Sequence, residues 1–157
     1  MAASGRTVRT IVTEWKNSYS VGVKELDIQH QKLLHLINEL DQFLDNRQET
    51  SSKARCFAAL NALVKYAENH FSAEEGYLSK YAYPKYDLQK KEHEDFIDTV
   101  FSMHTRFEKD DSYTLNEIVN YLRDWYSLHI LGMDQGYKQF LAEKGAEAKK
   151  QAQVGTD

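Results

Sequence analysis

Cysteine, proline and long apolar runs are all scarce in this sequence. Its 157 residues include one cysteine, Cys56, so no internal disulfide can form, as expected of a chain kept in a reducing cytoplasm. A single proline, Pro84, leaves long stretches free to be helical without interruption. No run approaches the roughly 18 apolar residues that span a membrane. The opening residues, MAASGRTVRTIV, lack the apolar stretch of a signal peptide. Neither sign of charge dominates, since 20 Lys and Arg face 24 Asp and Glu for a net −4, and no basic stripe is visible. Nucleic acid is therefore not the expected partner. These absences lead to the expectation of one soluble cytoplasmic domain, long enough to bury a core without staples.

What is present is helical periodicity in four stretches. Residues 23–44 carry His30, Leu33, Leu34, Ile37, Leu40 and Leu44 on one stripe, and a polar break follows. Residues 52–80 carry Leu60, Leu63, Val64, Ala67, His70, Phe71, Glu74 and Leu78. Tyr83-Pro84 ends that stretch, because a residue before proline avoids helical angles while proline suits a new first turn. Residues 84–109 carry Gln89, His93, Phe96, Ile97, Val100, His104 and Phe107, and Asp110, Asp111 and Ser112 read as a turn. Residues 114–143 carry Leu115, Ile118, Leu122, Trp125, Tyr126 and His129. Short connections between long helices predict an all-α, antiparallel up-down-up-down four-helix bundle. The domain is expected over residues 14–143, with an N-terminal arm over 1–13 and a polar C-terminal tail over 144–157. Trp125, Phe96 and Phe101 read as core packing.

Chemistry enters with His30, His70, Glu74, His93, His129 and Asp134. Folding each helix back on its neighbour puts these residues at similar depth, at about 1.5 Å per residue. Each lies on a stripe otherwise made of leucine, isoleucine, valine and phenylalanine. A lone histidine on such a stripe is usually a satisfied core residue. Four histidines and two carboxylates at one level are costly unless paired or bound to metal, and they are the donors that a pair of iron or manganese ions takes. His70 and Glu74, four apart, share a helix face. His129 and Asp134, five apart, would splay by about 140° on a regular helix. Gly132 between them could permit a break or a π-type bulge that turns Asp134 back inward. His35 falls on the solvent side, and His104 lies about 16 Å along the axis from His93; neither is expected to be a ligand.

These residues resemble the hemerythrins, in particular the single-domain bacteriohemerythrins. The resemblance covers about residues 14–140. It includes Trp15-Lys16-Asn17-Ser18-Tyr19-Ser20-Val21-Gly22-Val23, Asp27-Ile28-Gln29-His30, His70-Phe71-Ser72-Ala73-Glu74-Glu75, Lys91-Glu92-His93 and His129-Ile130-Leu131-Gly132-Met133-Asp134. It implies two iron ions in a non-heme di-iron centre, oxo- or hydroxo-bridged, that binds O2 reversibly for carriage, storage or sensing. By that resemblance His30 and His70 would hold one iron, His93 and His129 the other, and Glu74 and Asp134 would bridge them. Gln89 is the departure, since the family carries a histidine four residues before His93. It could ligate through oxygen, leave its place to water, or weaken the second iron's binding. Two alternatives stay open: a di-iron enzyme acting on peroxide or nitric oxide, and an oxygen- or iron-sensing interaction module. No dedicated catalytic acid–base pair is apparent, so a binding protein is the expectation.

Overall fold

The chain folds into a ring of four antiparallel helical rods whose inner faces meet along one axis. The structure, a computed structural model, describes residues 12–45, 50–109 and 111–154. After a short 3₁₀ turn at Asn17–Tyr19 come α1 (Lys24–Asp45), α2 (Thr50–Lys80) and α3 (Tyr86–Lys109). The fourth rod is composite: α4 (Asp111–Trp125), a π-helical segment (Tyr126–Met133) and α5 (Gln135–Val154). α1 packs on α2, α2 on α3, α3 on α4, and α4 closes back on α1. Most of the expected arm, residues 1–11, lies outside the described residues, as does Asp110 of the expected turn.

Three expectations need correction. Asp111 and Ser112 open α4 and do not belong to a turn. The C-terminal rod passes through Gly145 and stays helical to Val154. Alanine, lysine, glutamate and glutamine dominate that stretch, and their helix propensity outweighs one glycine at about 1 kcal/mol. Phe101 is 68 % exposed. It follows Val100 by one residue, hence by about 100° around the helix, which carries it off the buried stripe.

Two terminal devices fix the ends that matter. In the first turn of α1 the Asp27 carboxylate reaches back and accepts the Ser20 hydroxyl at 2.5 Å and the Val21 N–H at 2.8 Å. Gly22 at φ 81° makes that reversal, in a region that disfavours side chains. At the end of α2, Tyr83 N–H reaches the Leu78 carbonyl at 2.9 Å and Ala82 N–H reaches Ser79 at 3.1 Å. This is a Schellman stop with alanine at the left-handed position, φ 53°. Pro84 then prevents the helix from resuming at once.

The buried apolar residues form two clusters. The larger gathers Leu33, Leu40, Leu60, Leu63, Phe96, Val100, Ile118 and Leu122 with their neighbours. The smaller joins Val21, Leu26, Leu78, Tyr83, Tyr137 and Leu141. Each fully buried leucine contributes about 1.5–3 kcal/mol, so both clusters hold the rods in register. On three of the rods the chain visibly passes from one cluster to the other through a buried polar residue. On α1, Leu26 and Leu33 flank His30; on α2, Phe71 and Leu78 flank Glu74; on the fourth rod, Ile130 and Tyr137 flank Asp134. A polar layer is thus clamped between two apolar ones.

Candidate metal centre

Every rod contributes to that layer. α1 supplies His30, α2 supplies His70 and Glu74, α3 supplies Gln89 and His93, and the fourth rod supplies His129 and Asp134. All seven are between 0 and 3 % exposed. The π-helical segment is what gathers the last pair. Asp134 N–H bonds to the His129 carbonyl at 2.8 Å, an i→i−5 bond that brings a five-residue spacing back to nearly one turn. Tyr126, His129, Ile130, Asp134 and Tyr137 are all buried as a result. Gly132 is not the enabling residue. It lacks a positive φ, and a Cβ there would meet only the Ser127 carbonyl at an ordinary 3.8 Å.

The donor atoms form two groups joined by the carboxylates. His30, His70, Glu74 and Asp134 each offer an atom within 4.8 Å of the others, as do Glu74, His93 and His129. Glu74 turns Oε2 toward His30 Nε2 (3.6 Å) and His70 Nε2 (3.3 Å), and Oε1 toward His93 Nε2 (3.2 Å). Asp134 turns Oδ2 toward His30 Nε2 (3.4 Å) and Oδ1 toward His129 Nε2 (3.2 Å). His93 and His129 face each other Nε2 to Nε2 at 3.1 Å. Gln89 donates from Nε2 to Asp134 Oδ1 at 3.3 Å. His35, by contrast, is 71 % exposed in its side chain, and His104 packs at 5.2 Å from the Phe57 ring, away from the cluster.

A further row of residues holds the donors in place. Gln29 Oε1 lies 2.7 Å from His70 Nδ1, and Glu75 Oε1 lies 2.9 Å from His93 Nδ1. An acceptor at Nδ1 fixes the proton there and frees Nε2 as a donor toward the centre. The Tyr137 hydroxyl donates to Glu74 Oε2 at 2.9 Å, and the Tyr126 hydroxyl donates to the His30 carbonyl at 2.9 Å. Phe71 stacks on the His93 ring at 4.0 Å, and Trp125 on the His129 ring at 4.4 Å. Gln29 and Glu75 each adjoin a donor residue in sequence but serve a donor on a neighbouring helix. Phe71, Trp125 and Tyr126 lie on the apolar stripes, and Tyr137 follows Asp134 by three residues on the same inner face.

The electrostatics show what the cluster lacks. Burial works against a charge on His30, yet the carboxylates of Asp134 and Glu74 overcome it and raise its pKa to about 9. Burial also resists the charge on Glu74, but His30, His70 and His93 hold its carboxyl well below the usual range. Burial keeps His70 below the ordinary imidazole value. His93 is raised: burial opposes its charge, and Glu74 and Glu75 outweigh it. Despite these contacts, both ring nitrogens of His30, His70 Nε2, Glu74 Oε1, Gln89 Oε1, His129 Nδ1 and Asp134 Oδ2 are buried without a hydrogen-bond partner among the described residues. An unsatisfied buried polar atom costs about 1–3 kcal/mol, so those that face the cluster need another partner. Donors about 2.1 Å from one ion lie about 3.0–3.4 Å apart, which matches most of the separations above. The donor set therefore fits first-row divalent ions.

Comparison with known proteins agrees with this geometry. The family model for the Hemerythrin HHE cation binding domain matches residues 21–141. A bacteriohemerythrin of Clostridium acetobutylicum is 31% identical over 124 residues, covering 78% of this chain and 96% of that protein. A hemerythrin-like protein of Naegleria gruberi is 31% identical over 127 residues, covering 81% of this chain and 92% of that protein. A crystal structure of a hemerythrin point mutant superposes with a TM-score of 0.73 at 23% identity, over 84% of this chain and 98% of that one, which supports the four-helix bundle fold. No helix among the described residues is long and apolar enough to cross a membrane. With the family model spanning most of its length, the chain belongs to the hemerythrin family.

Proposed function

We propose that this chain holds a non-heme di-iron centre and binds O2 reversibly in the cytoplasm, for carriage, storage or sensing, as a binding protein and not as an enzyme. His30 and His70 would hold one iron, and His93 and His129 the other. Glu74 and Asp134 would bridge them, with an oxo or hydroxo bridge completing the pair. Gln89 stands in place of the family's histidine and offers an amide oxygen to the second iron. The observation that carries the reading is the position of the two carboxylates: each turns one oxygen to each pair of imidazoles.

When bound, the iron pair supplies the electrons and the open position that O2 requires. The chain's own residues do the rest. Gln29 and Glu75 hold the protons of His70 and His93 at Nδ1. Tyr137 fixes the Glu74 carboxylate. The two apolar layers shield the cluster from water and acid along the bundle axis. Membership of the hemerythrin family supports binding over turnover.

The optical spectrum tests the proposal. Anaerobically reconstituted protein should develop a visible charge-transfer band with O2 and lose it when O2 is removed, over repeated cycles. Rapid irreversible oxidation would point to the alternative reading, chemistry on peroxide or nitric oxide. One observation favours that alternative: surface grooves of about 470 and 200 Å³ reach His93 and His129. Gln89→His should slow decay of the oxygenated band and retain the second iron better. Equal decay and equal iron content in both proteins would make Gln89 a neutral substitution.

A further inference from the structure

Neighbouring rods follow each other in the chain at every seam of the bundle except the one between α1 and the fourth rod. Residues 12–22 lie along that seam as a strap, tied to α1 on one side and to the fourth rod on the other. From α1, Asn38 Nδ2 donates to the Thr13 carbonyl at 2.9 Å, and Asp27 accepts from Ser20 and Val21. From the fourth rod, Arg123 Nη1 donates to the Val12 carbonyl at 3.1 Å, and Gln135 Nε2 donates to the Tyr19 carbonyl at 2.8 Å. Arg123 also reaches Asn38 Oδ1 at 3.2 Å and Asp41 Oδ2 at 2.5 Å, so one guanidinium joins both rods and the strap.

The strap passes over one donor group. On α1, Asn38 lies about two turns beyond His30 and Asp27 about one turn before it, so the chain between these anchors crosses the level of that histidine. Trp15 stands there, partly buried, with its ring 6.5 Å from the imidazole. His30 Nε2 and Asp134 Oδ2 face each other at 3.4 Å, one from each rod of the same seam. The strap is also held more lightly than the rods. Apart from the 3₁₀ turn at Asn17–Tyr19 it has no helix, and no residue from Val12 to Ser20 is buried. Segments with few buried contacts and solvent-facing backbone open at lower free energy than packed helices. Val21, wholly buried, and Asp27 fix the lower end. The end held by Arg123 and Asn38 is therefore the one to lift.

We infer that the strap is a gate for the His30–His70 group: metal enters and leaves that group when the strap lifts from Arg123 and Asn38, while the His93–His129 group exchanges independently of it. The inference rests on the reading of the cluster as a two-metal centre, and it adds the route by which one of the two ions is exchanged.

The experiment compares the full-length wild type with Arg123→Ala and Asn38→Ala, each loaded with iron(II) under argon. Release to a bipyridyl chelator is followed by absorbance, and the wild type should show a fast groove-side phase and a slow phase from His30 and His70. Amide hydrogen exchange of the metal-free proteins is followed by mass spectrometry on peptides covering the strap. Arg123→Ala removes a charged donor, so strap exchange should rise about tenfold and the slow phase should quicken by about the same factor. Asn38→Ala removes a neutral donor and should move both quantities the same way by about threefold. It keeps the comparison usable if circular dichroism shows that Arg123→Ala does not fold. In both variants the fast phase and the exchange of α2 and α3 should match the wild type. Strap exchange as slow as that of α2 and α3 in the wild type would overturn the inference and leave the two-metal reading standing. So would a slow phase that holds its rate while strap exchange rises, or equal quickening of both phases, which is general loosening of the bundle. Well under one iron per chain in the wild type would overturn the two-metal reading and the inference with it, whatever the strap exchange shows.

Discussion

The two halves of the donor cluster share residue types but stand in different surroundings. His30 and His70 lie deep, with Trp15 at 6.5 Å from the His30 ring and Gln29 behind His70. His93 and His129 lie against flat aromatic faces, and each also lines a groove open to the surface. The larger groove is rimmed by Glu68, Glu75, Glu94 and Asp98, and Glu75 itself is 21 % exposed in its side chain. His93 and His129, at 2 and 3 % exposure against 0 and 1 % for His30 and His70, are thus the imidazoles that line these grooves. Equal donors do not make equal sites. The walls decide which half exchanges with solvent.

The strongest way to break this comparison is to remove what the halves share. Glu74→Ala deletes an oxygen from both groups at once, so bound iron should fall to a small fraction of the wild-type content. His35→Ala should leave it unchanged. Comparable losses in the two variants would mean that the stripe around α1 has been read on the wrong face.

Next in size are variants that touch one half. His93→Ala should release metal from the groove side and leave the His30–His70 group loaded at the outset. His70→Ala should do the reverse. Chelator-release kinetics on each variant resolve the order. The wild type should show a fast and a slow phase, and His93→Ala should lose the fast one.

Protons sharpen the comparison in the metal-free protein. The raised pKa values of His30 and His93 contribute stability that is full below the ordinary 6.5 and is lost as pH rises, for His30 through about 9. His70, depressed by burial, acts in the other direction, because below 6.5 the unfolded chain takes up the proton more readily. Glu74 adds a loss at lower pH still, as pH falls below 4.5 toward its depressed value. Urea midpoints should therefore peak near pH 6.5 and fall toward pH 9. With metal bound the alkaline fall should vanish, since a cation replaces those protons. A metal-free midpoint that rises from pH 6.5 to 9 would contradict the charge assignment.

The smallest effect belongs to Tyr137→Phe. It removes one hydrogen bond to a buried carboxylate, worth about 1.5 kcal/mol, on the Glu74 oxygen that faces His30 and His70. Metal release from that half should quicken, with little change in the groove-side phase.

Much of this was legible in the sequence because it depends on spacing along single helices. The stripes of α1, α2 and α3 and of the fourth rod placed the four histidines and Glu74. The irregular gap between His129 and Asp134 pointed to the local rewinding that the structure contains, although Gly132 proved not to be its cause. What spacing could not supply was the partner across a helix pair. Gln29 sits next to His30 but serves His70, and Glu75 sits next to Glu74 but serves His93. Those pairings depend on rotation and tilt between rods. Phe101 and the helix beyond residue 143 depart from the pattern for simpler reasons, one a hundred-degree step off the stripe and the other a run of strong helix formers around a single glycine.

The π-helical segment makes the cluster depend on a tally of residues, and on where in the tally a residue is lost. The segment amounts to one residue more than ordinary winding would hold between α4 and α5. Deleting Gly132, inside the pair, would leave His129 and Asp134 four apart, and a rod relaxed to regular winding would still present both inward. Deleting Leu128, which is 76 % open to solvent, would shorten the rod equally but leave the pair five apart. On regular winding His129 would then stand about 60° from Trp125, the ring it stacks on, and about 140° from Asp134. Two shortened chains of equal length and nearly equal helical content would thus differ in whether the ring of donors closes. The site is written partly in arithmetic, and the exposed face of the rod carries some of the count.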